Sequence, residues 1–348
     1  MLACSACDSF LITHLPNVRY LTGFSGSAGT VLITPRQKLF FTDSRYRLQA
    51  AKQVKGYGVR IVPGDSLEGC ARYAVSRRLK LGVAGYEAGR LSHKRFLLLR
   101  RILRGVNLRD ASGIVEKLRL VKSRAEQAKI RRACRIADAA LAALTRQQVT
   151  GKSEEDVAWF LESVMRKGGS GALPFVIIVA SGPRSAMPHG AATGRVIRKG
   201  ELVVVDMGAS VDGYCCDITR TFATGPLPAR LKQIYNIVRE AQELALNGVR
   251  PGAPAAEPDR VARGHIKAAG YGREFGHSLG HGVGLEAHEG PWLAARSRDT
   301  LAAGMTVTVE PGLYIEDQGG VRIEDTVLVG SRSPLVLTSF PRQLTLLR

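Results

Sequence analysis

Short apolar runs broken by Gly and Ser fill residues 9–62, and FLITHL, TVLITP and KLFFT each have the length and β-branched or aromatic content of a strand. The GFSGSAG segment between them is a turn. The pattern predicts strands and turns over 9–62, interrupted by one helix over 45–55 and followed by a short strand, VRIV. Apolar spacing then predicts a helix over 66–79, a strand in LKLGVAG and a basic amphipathic helix over 91–104. Strand and helix alternate, which is the signature of a small α/β domain.

The pattern changes near residues 115–122. Ser123 followed by Glu126 is a capping-box signature, and an Ala-rich helical stretch runs from it to about Leu144. A second helix starts near Ser153, KGGSGALPF turns the chain into the strand FVIIVAS, and further helices are predicted at 229–247 and 255–269. Apolar strands surround these two helices, so the second part reads as α+β. The expected organisation is therefore two domains, 1–118 and 119–348, in a chain long enough for both. No short-period repeat is evident.

Composition adds three points. No apolar run approaches the roughly 18–20 residues that span a bilayer, and no basic leader precedes the first apolar stretch, so a soluble cytoplasmic protein is expected, with no membrane partner. The six cysteines show no disulfide framework; Cys4 and Cys7 form one C-x-x-C without a second pair at zinc spacing, and reduced thiols are expected. The net charge is +20, and residues 1–122 carry most of it, with 22 Lys and Arg against 7 Asp and Glu. The basic residues are scattered and have no aromatic interleaving, so a solvated Arg-rich surface is expected in preference to a nucleic-acid site.

The chemistry is concentrated in the second part. Asp206 ends VVVVD, Asp217 opens DITRTF, Glu310 ends TVTVE, Glu324 follows GVRI, and His281 lies in HSLGHGVGLEAHE. A carboxylate in an apolar run is costly unless paired or bound to a cation. Four carboxylates and one imidazole brought together would repel without metal, and an oxygen-rich set with one His suits hard or borderline divalent ions. Asp206 and Asp217 stand eleven residues apart, and a turn at Ser210–Gly213 would bring both to one end of a hairpin. Gly280, Gly282 and Gly284 are expected to supply backbone conformations closed to other residues, in a loop that also carries His277 and His288. Arg322 and Glu324 are expected on one face of a single strand, with Arg322 orienting a ligand carboxylate. His189, between Pro188 and Gly190, is expected in a turn that presents it to substrate.

These motifs resemble the pita-bread metallopeptidases, in the aminopeptidase P and prolidase branch. HSLGHGVGLEAHE matches that branch's His-rich signature, and VDMGA…DITRT, VEPGLY and GVRIED match its remaining ligand segments in order. NVRYLTGFSGSAGTVLIT…FFTDSRYRLQA is similar to the small creatinase-like domain of aminopeptidase P. The resemblance implies an α+β fold, with a pita-bread catalytic domain behind a smaller α/β creatinase-like domain. It implies two divalent ions, Mn²⁺ in the first place and Co²⁺ or Zn²⁺ as alternatives. Asp217 and Glu324 would bridge them, with Asp206 on one ion and His281 and Glu310 on the other. His189, His277 and His288 would surround the substrate, and Glu310 would also relay a proton. The implied reaction is hydrolysis of an Xaa-Pro bond at a peptide N-terminus by a hydroxide bridging the ions, in a homodimer or larger homo-oligomer.

GFSGSAG and TDSRY lean toward an Xaa-Pro aminopeptidase, with Pro second in the peptide; the alternative is an Xaa-Pro dipeptidase restricted to dipeptides. Three further classes are weaker. A methionine aminopeptidase lacks this N-terminal part, a metal-free creatinase-like hydrolase has no need of five ligands, and a non-enzymatic pita-bread protein binding nucleic acid or protein would be expected to have lost some.

Overall fold

The computed structural model describes residues 6–348. Cys4, half of the C-x-x-C pair, lies outside them; Cys7, Cys70, Cys134, Cys215 and Cys216 are buried free thiols. The chain divides into two compact units, one up to Arg119 and one from Leu120.

The first unit is a six-stranded mixed sheet with helices. In chain order it runs β1 (Ser9–Ile12), α1 (Leu15–Thr22), β2 (Thr30–Ile33), β3 (Lys38–Thr42), α2 (Arg47–Gln53), β4 (Gly58–Ile61), α3 (Ser66–Ser76), β5 (Val83–Tyr86), α4 (His93–Ile102), β6 (Asn107–Asp110) and α5 (Ile114–Leu120). The sheet order is β4-β3-β2-β1-β5-β6. Helix α1 departs from the strands and turns expected over 9–62. Its start is masked by Pro16, which sits in the first turn where a missing N–H costs nothing. Gly23, at φ 80°, ends the helix. Asn17 anchors it from the inside, donating to Glu87 Oε1 at 2.6 Å and Glu116 Oε1 at 2.9 Å.

The second unit opens with α6 (Arg124–Leu144), whose capping box forms as Ser123 and Glu126 predict. A second capping box, Ser153 with Asp156, starts α7 (Glu154–Lys167). Then come β7 (Ile178–Ser181), β8 (Leu202–Met207), β9 (Ser210–Val211), β10 (Tyr214–Cys215), β11 (Ile218–Ala223), α8 (Ala229–Leu246) and α9 (Ala256–Ala268). The chain finishes with β12 (Gly280–Gly282), β13 (Glu289–Leu293), β14 (Thr306–Val309), β15 (Gly312–Ile315), β16 (Gly319–Arg322), β17 (Asp325–Val329), β18 (Pro334–Val336) and β19 (Thr345–Leu346).

The two larger sheets of the unit are ordered β19-β11-β8-β7 and β13-β12-β14-β17-β18, beside the two-stranded ribbons β9–β10 and β15–β16. Helices α6 and α7 pack through Ile130, Leu141, Val157 and Leu161 onto Val203, Val205, Ile218 and Phe222 of the first sheet. Helices α8 and α9 pack through Ile234, Val238, Ala262 and Ile266 onto Val307, Val309, Val327 and Val329 of the second. Each strand core is thus covered by its own helix pair. Among the described residues no helix is long and apolar enough to cross a membrane.

Candidate metal centre

Strands β8 and β11 are antiparallel, with Asp206 opposite Thr219 and Met207 opposite Ile218. The excursion between them is the two-strand ribbon β9–β10, turned by Asp212 (φ 47°) and Gly213 (φ 75°). Two positive φ values in a two-residue loop match the twist of a tight hairpin. Asp206 near the end of β8 and Asp217 just before β11 are thereby brought to one end of the pair, as the expected turn at Ser210–Gly213 implies.

His281 comes from β12 in the other sheet. The strand is three residues long, and Gly280 and Gly282 make it possible in a way different from the one expected. Neither has a left-handed φ. A Cβ on Gly280 would lie 2.1 Å from Thr308 O, and one on Gly282 would lie 1.9 Å from Gly290 O. The glycines therefore admit neighbouring backbone. His281 sits in a strand at a register shift, not in a loop.

Glu310 follows β14, and Pro311 interrupts the chain before β15. Glu324 lies in the gap between β16 and β17, so Arg322 and Glu324 do not share one strand. Both still reach the same place. Thr219 Oγ1 donates to Glu324 Oε2 at 2.6 Å, and Arg322 Nη2 donates to Asp206 Oδ2 at 2.6 Å. His281 Nε2 lies 3.2 Å from Glu310 Oε1 and 3.9 Å from Asp217 Oδ2.

The donor set fits metal. Asp217, His281 and Glu324 each offer a ligand atom within 4.8 Å of the others, and all three are buried. Asp206 Oδ1, Asp217 Oδ1 and Glu324 Oε1 are buried with no hydrogen-bond partner. Such orphaned oxygens are costly. Burial, followed by the charges of Glu324, Asp206 and Glu310, pushes the Asp217 carboxyl well above the ordinary carboxylate range. Burial and the charges of Glu310 and Asp206 do the same to Glu324. A divalent cation removes both penalties. Burial acts to raise Glu310 most strongly of any single cause, but the hydrogen bond and charge of His281 with the charges of His277 and Arg322 together hold the carboxyl low. At His281 burial acts to lower the imidazole, but the Glu310 contact, the Gly282 carbonyl and the Asp206 charge together raise it. A ligating imidazole is neutral, so a metal held there would compete with protonation of His281.

Around this cluster is a cavity of about 430 Å³, lined by all five acidic and imidazole candidates and by His189, His277, His288 and Arg322. His277 Nε2 is 3.0 Å from Tyr314 Oη, and burial lowers its pKa. The His288 ring stands 4.2 Å from that of His281, and burial and the His281 charge lower it too. Arg322 is fully engaged: besides Asp206 it donates to Tyr314 Oη at 2.8 Å, Pro188 O at 3.1 Å and Thr219 Oγ1 at 3.2 Å. Three of these residues escaped the sequence reading. Thr219 in β11 stands two positions from Asp217 and Thr308 in β14 two from Glu310, the spacing that puts extended residues on one side. Tyr314 lies in the EPGLY motif, where nothing but an aromatic beside a ligand marks it. Trp292 and Phe175 complete the apolar wall.

Comparison with known proteins identifies the family. Residues 128–331 match the model of metallopeptidase family M24, and residues 2–121 match the creatinase/prolidase N-terminal domain. The chain is 36% identical to the Xaa-Pro dipeptidase of Pyrococcus horikoshii, over 97% of this chain and 94% of that one. The structure of an Xaa-Pro dipeptidase from Bacillus anthracis superposes with a TM-score of 0.94 at 43% identity, covering 98% of this chain and 95% of that one. An X-Pro aminopeptidase from Thermotoga maritima gives 0.90 at 36% identity, with 99% of both chains covered. The chain therefore belongs to metallopeptidase family M24 and carries the creatinase/prolidase domain in front of its catalytic unit.

Proposed function

We propose that this metallopeptidase is an Xaa-Pro dipeptidase. The observation that carries the peptidase reading is the convergence of five ligand-type side chains, three with orphaned buried oxygens, in a cavity ringed by three histidines. The preference for dipeptides replaces the aminopeptidase reading suggested by GFSGSAG and TDSRY, and it draws support from the names of the two dipeptidase relatives.

Asp206, Asp217, His281, Glu310 and Glu324 would hold two divalent ions; Mn²⁺ is the first choice. The ions, when bound, supply Lewis acidity and a water acidic enough to attack at neutral pH. Glu310, steadied by Thr308 Oγ1 at 3.0 Å, takes a proton and passes it to the leaving proline nitrogen. His288 donates to the carbonyl oxygen as charge develops there. His277, fixed by Tyr314, and His189 hold the substrate. The expected setting is a cytoplasmic homodimer or larger homo-oligomer.

One observation favours the aminopeptidase as a second reading. Among the described residues lining the cavity the one guanidinium is Arg322, and Asp206, Tyr314, Pro188 and Thr219 already occupy it. A dipeptide's free carboxylate is commonly held by an uncommitted Arg. Hydrolysis of an Xaa-Pro dipeptide beside an Xaa-Pro-Xaa tripeptide, with Mn²⁺ and after chelation, decides between them. Metal-dependent cleavage of the dipeptide alone is expected. Cleavage of the tripeptide at its first bond would make the chain an aminopeptidase, and no cleavage of either would sink the peptidase reading.

A further inference from the structure

The segment from Ser181 to Thr193 brings Pro188 and His189 to the cavity, yet its only regular structure is a short 3₁₀ turn over Gly182–Ala186. Both ends of this loop converge on one side chain, Glu154, at the first position of α7. Glu154 is 0% exposed. Its Oε1 accepts from Ser181 N and Ser181 Oγ, both at 2.8 Å. Its Oε2 accepts from Arg184 Nε at 3.1 Å, Thr193 N at 3.1 Å and Thr193 Oγ1 at 2.8 Å. Arg184, oriented by that contact, donates from Nη2 to Ala191 O at 2.7 Å and so closes the loop on itself.

A buried carboxylate persists where donors fill its lone pairs, and here five donors do. They come from residues 27 to 39 positions away, and all belong to the two ends of one loop. On its far side the loop meets β16, where Gly320 N donates to Ser185 Oγ at 2.8 Å and Arg322 donates to Pro188 O. His189 itself is exposed and makes none of these contacts, so its position is set by the loop that carries it.

We propose that Glu154 is a positioning residue: by gathering both ends of the Ser181–Thr193 loop it fixes how far His189 reaches over the candidate metal centre. The proposal rests on the peptidase reading for its kinetic consequence. Glu154→Gln is the informative variant, because an amide keeps one acceptor oxygen and must release either the Ser181 end or the Thr193 end. In metal-loaded enzyme, E154Q should lower kcat/KM by about tenfold or more, the scale of a misplaced contact group. In an H189A background the same change should cost less than about twofold, since coupled residues are non-additive. Equal losses in both backgrounds would overturn the proposal and leave Glu154 as a general structural support.

A second readout does not involve the reaction. Amide hydrogen exchange over residues 182–192 should rise in E154Q while β8 and β14 stay protected; unchanged exchange in the loop would also overturn the proposal. If E154Q does not fold, Thr193→Val removes one of the five donors and should show the same loop-specific exchange and the same dependence on His189, more weakly. Failure of the wild-type enzyme to cleave any Xaa-Pro peptide would defeat the function proposed above, and the exchange result would still decide whether Glu154 holds the loop.

Discussion

Asp217 and Glu324 are costly to bury ionised without metal. Their carboxyls are pushed well above the ordinary range by burial and then by neighbouring carboxylates. A folded pKa above the unfolded value means stability that is present below about pH 4 and is lost as pH rises toward the folded value. Metal-free protein is therefore expected to weaken from acid to neutral pH, and the gain in Tm on adding Mn²⁺ should be larger at about pH 8 than at about pH 5.5. Thermal scans of chelated and loaded protein at both values check this, and a gain that shrinks with pH would contradict the assignment. Asp217→Ala and Glu310→Ala should each reduce turnover by on the order of 100-fold or more while the fold survives, since even outer partners of a metal site are worth about 10–100-fold. Retention of near-normal activity with a full metal complement in either variant would refute their roles. Arg322→Lys keeps the charge but cannot serve Asp206, Tyr314, Pro188 and Thr219 together, so metal affinity should fall by about 10–100-fold in a titration. The ligand candidates were legible in the sequence because a carboxylate at the end of VVVV or TVTV has no cheap alternative. Thr219 and Tyr314 were not, because a Thr or Tyr in a strand is ordinary until its partner, about a hundred residues away for Thr219, is known.

At the level of elements, the centre depends on how closely β12 approaches its neighbours. Gly282→Ala places a methyl 1.9 Å from Gly290 O, a backbone atom with little freedom to yield. The expected loss is at or beyond the upper end of the about 1–3 kcal/mol typical of overpacking, read as a lower denaturation midpoint. Metal affinity should fall with it, because His281 is the adjacent residue. Glycine content at 280–284 was visible beforehand, but the reason was not: a single sequence does not show which backbone passes close by. Helix α1 was hidden for a different reason, since it is only eight residues long, carries Pro16 in its first turn and turns Asn17 inward. The helices with strong caps, α6 and α7, were readable to within a residue or two of their starts because Ser123 with Glu126 and Ser153 with Asp156 satisfy first-turn N–H groups locally.

For the whole molecule, charge and fold separate cleanly. The catalytic unit holds every candidate ligand, whereas residues 1–122 carry 22 basic against 7 acidic side chains. Such a surface attracts polyanions without selecting among them, and that attraction falls steeply with salt. Any nucleic-acid binding should vanish by about 0.2 M salt and leave peptide hydrolysis unaltered. A sequence-selective complex surviving at that salt in a gel-shift assay would revive the binding-protein reading. The pairing of β8 with β11 has a further consequence for the order of events during synthesis. Asp206 and Asp217 can meet as soon as their hairpin leaves the ribosome, but about a third of the chain must still be made before Glu324 follows. Domains fold as units once their distant segments are present. On the proposed ligand set, ion capture would belong to the last stage of the catalytic unit's biogenesis, and a bound ion would certify a finished domain and not seed one.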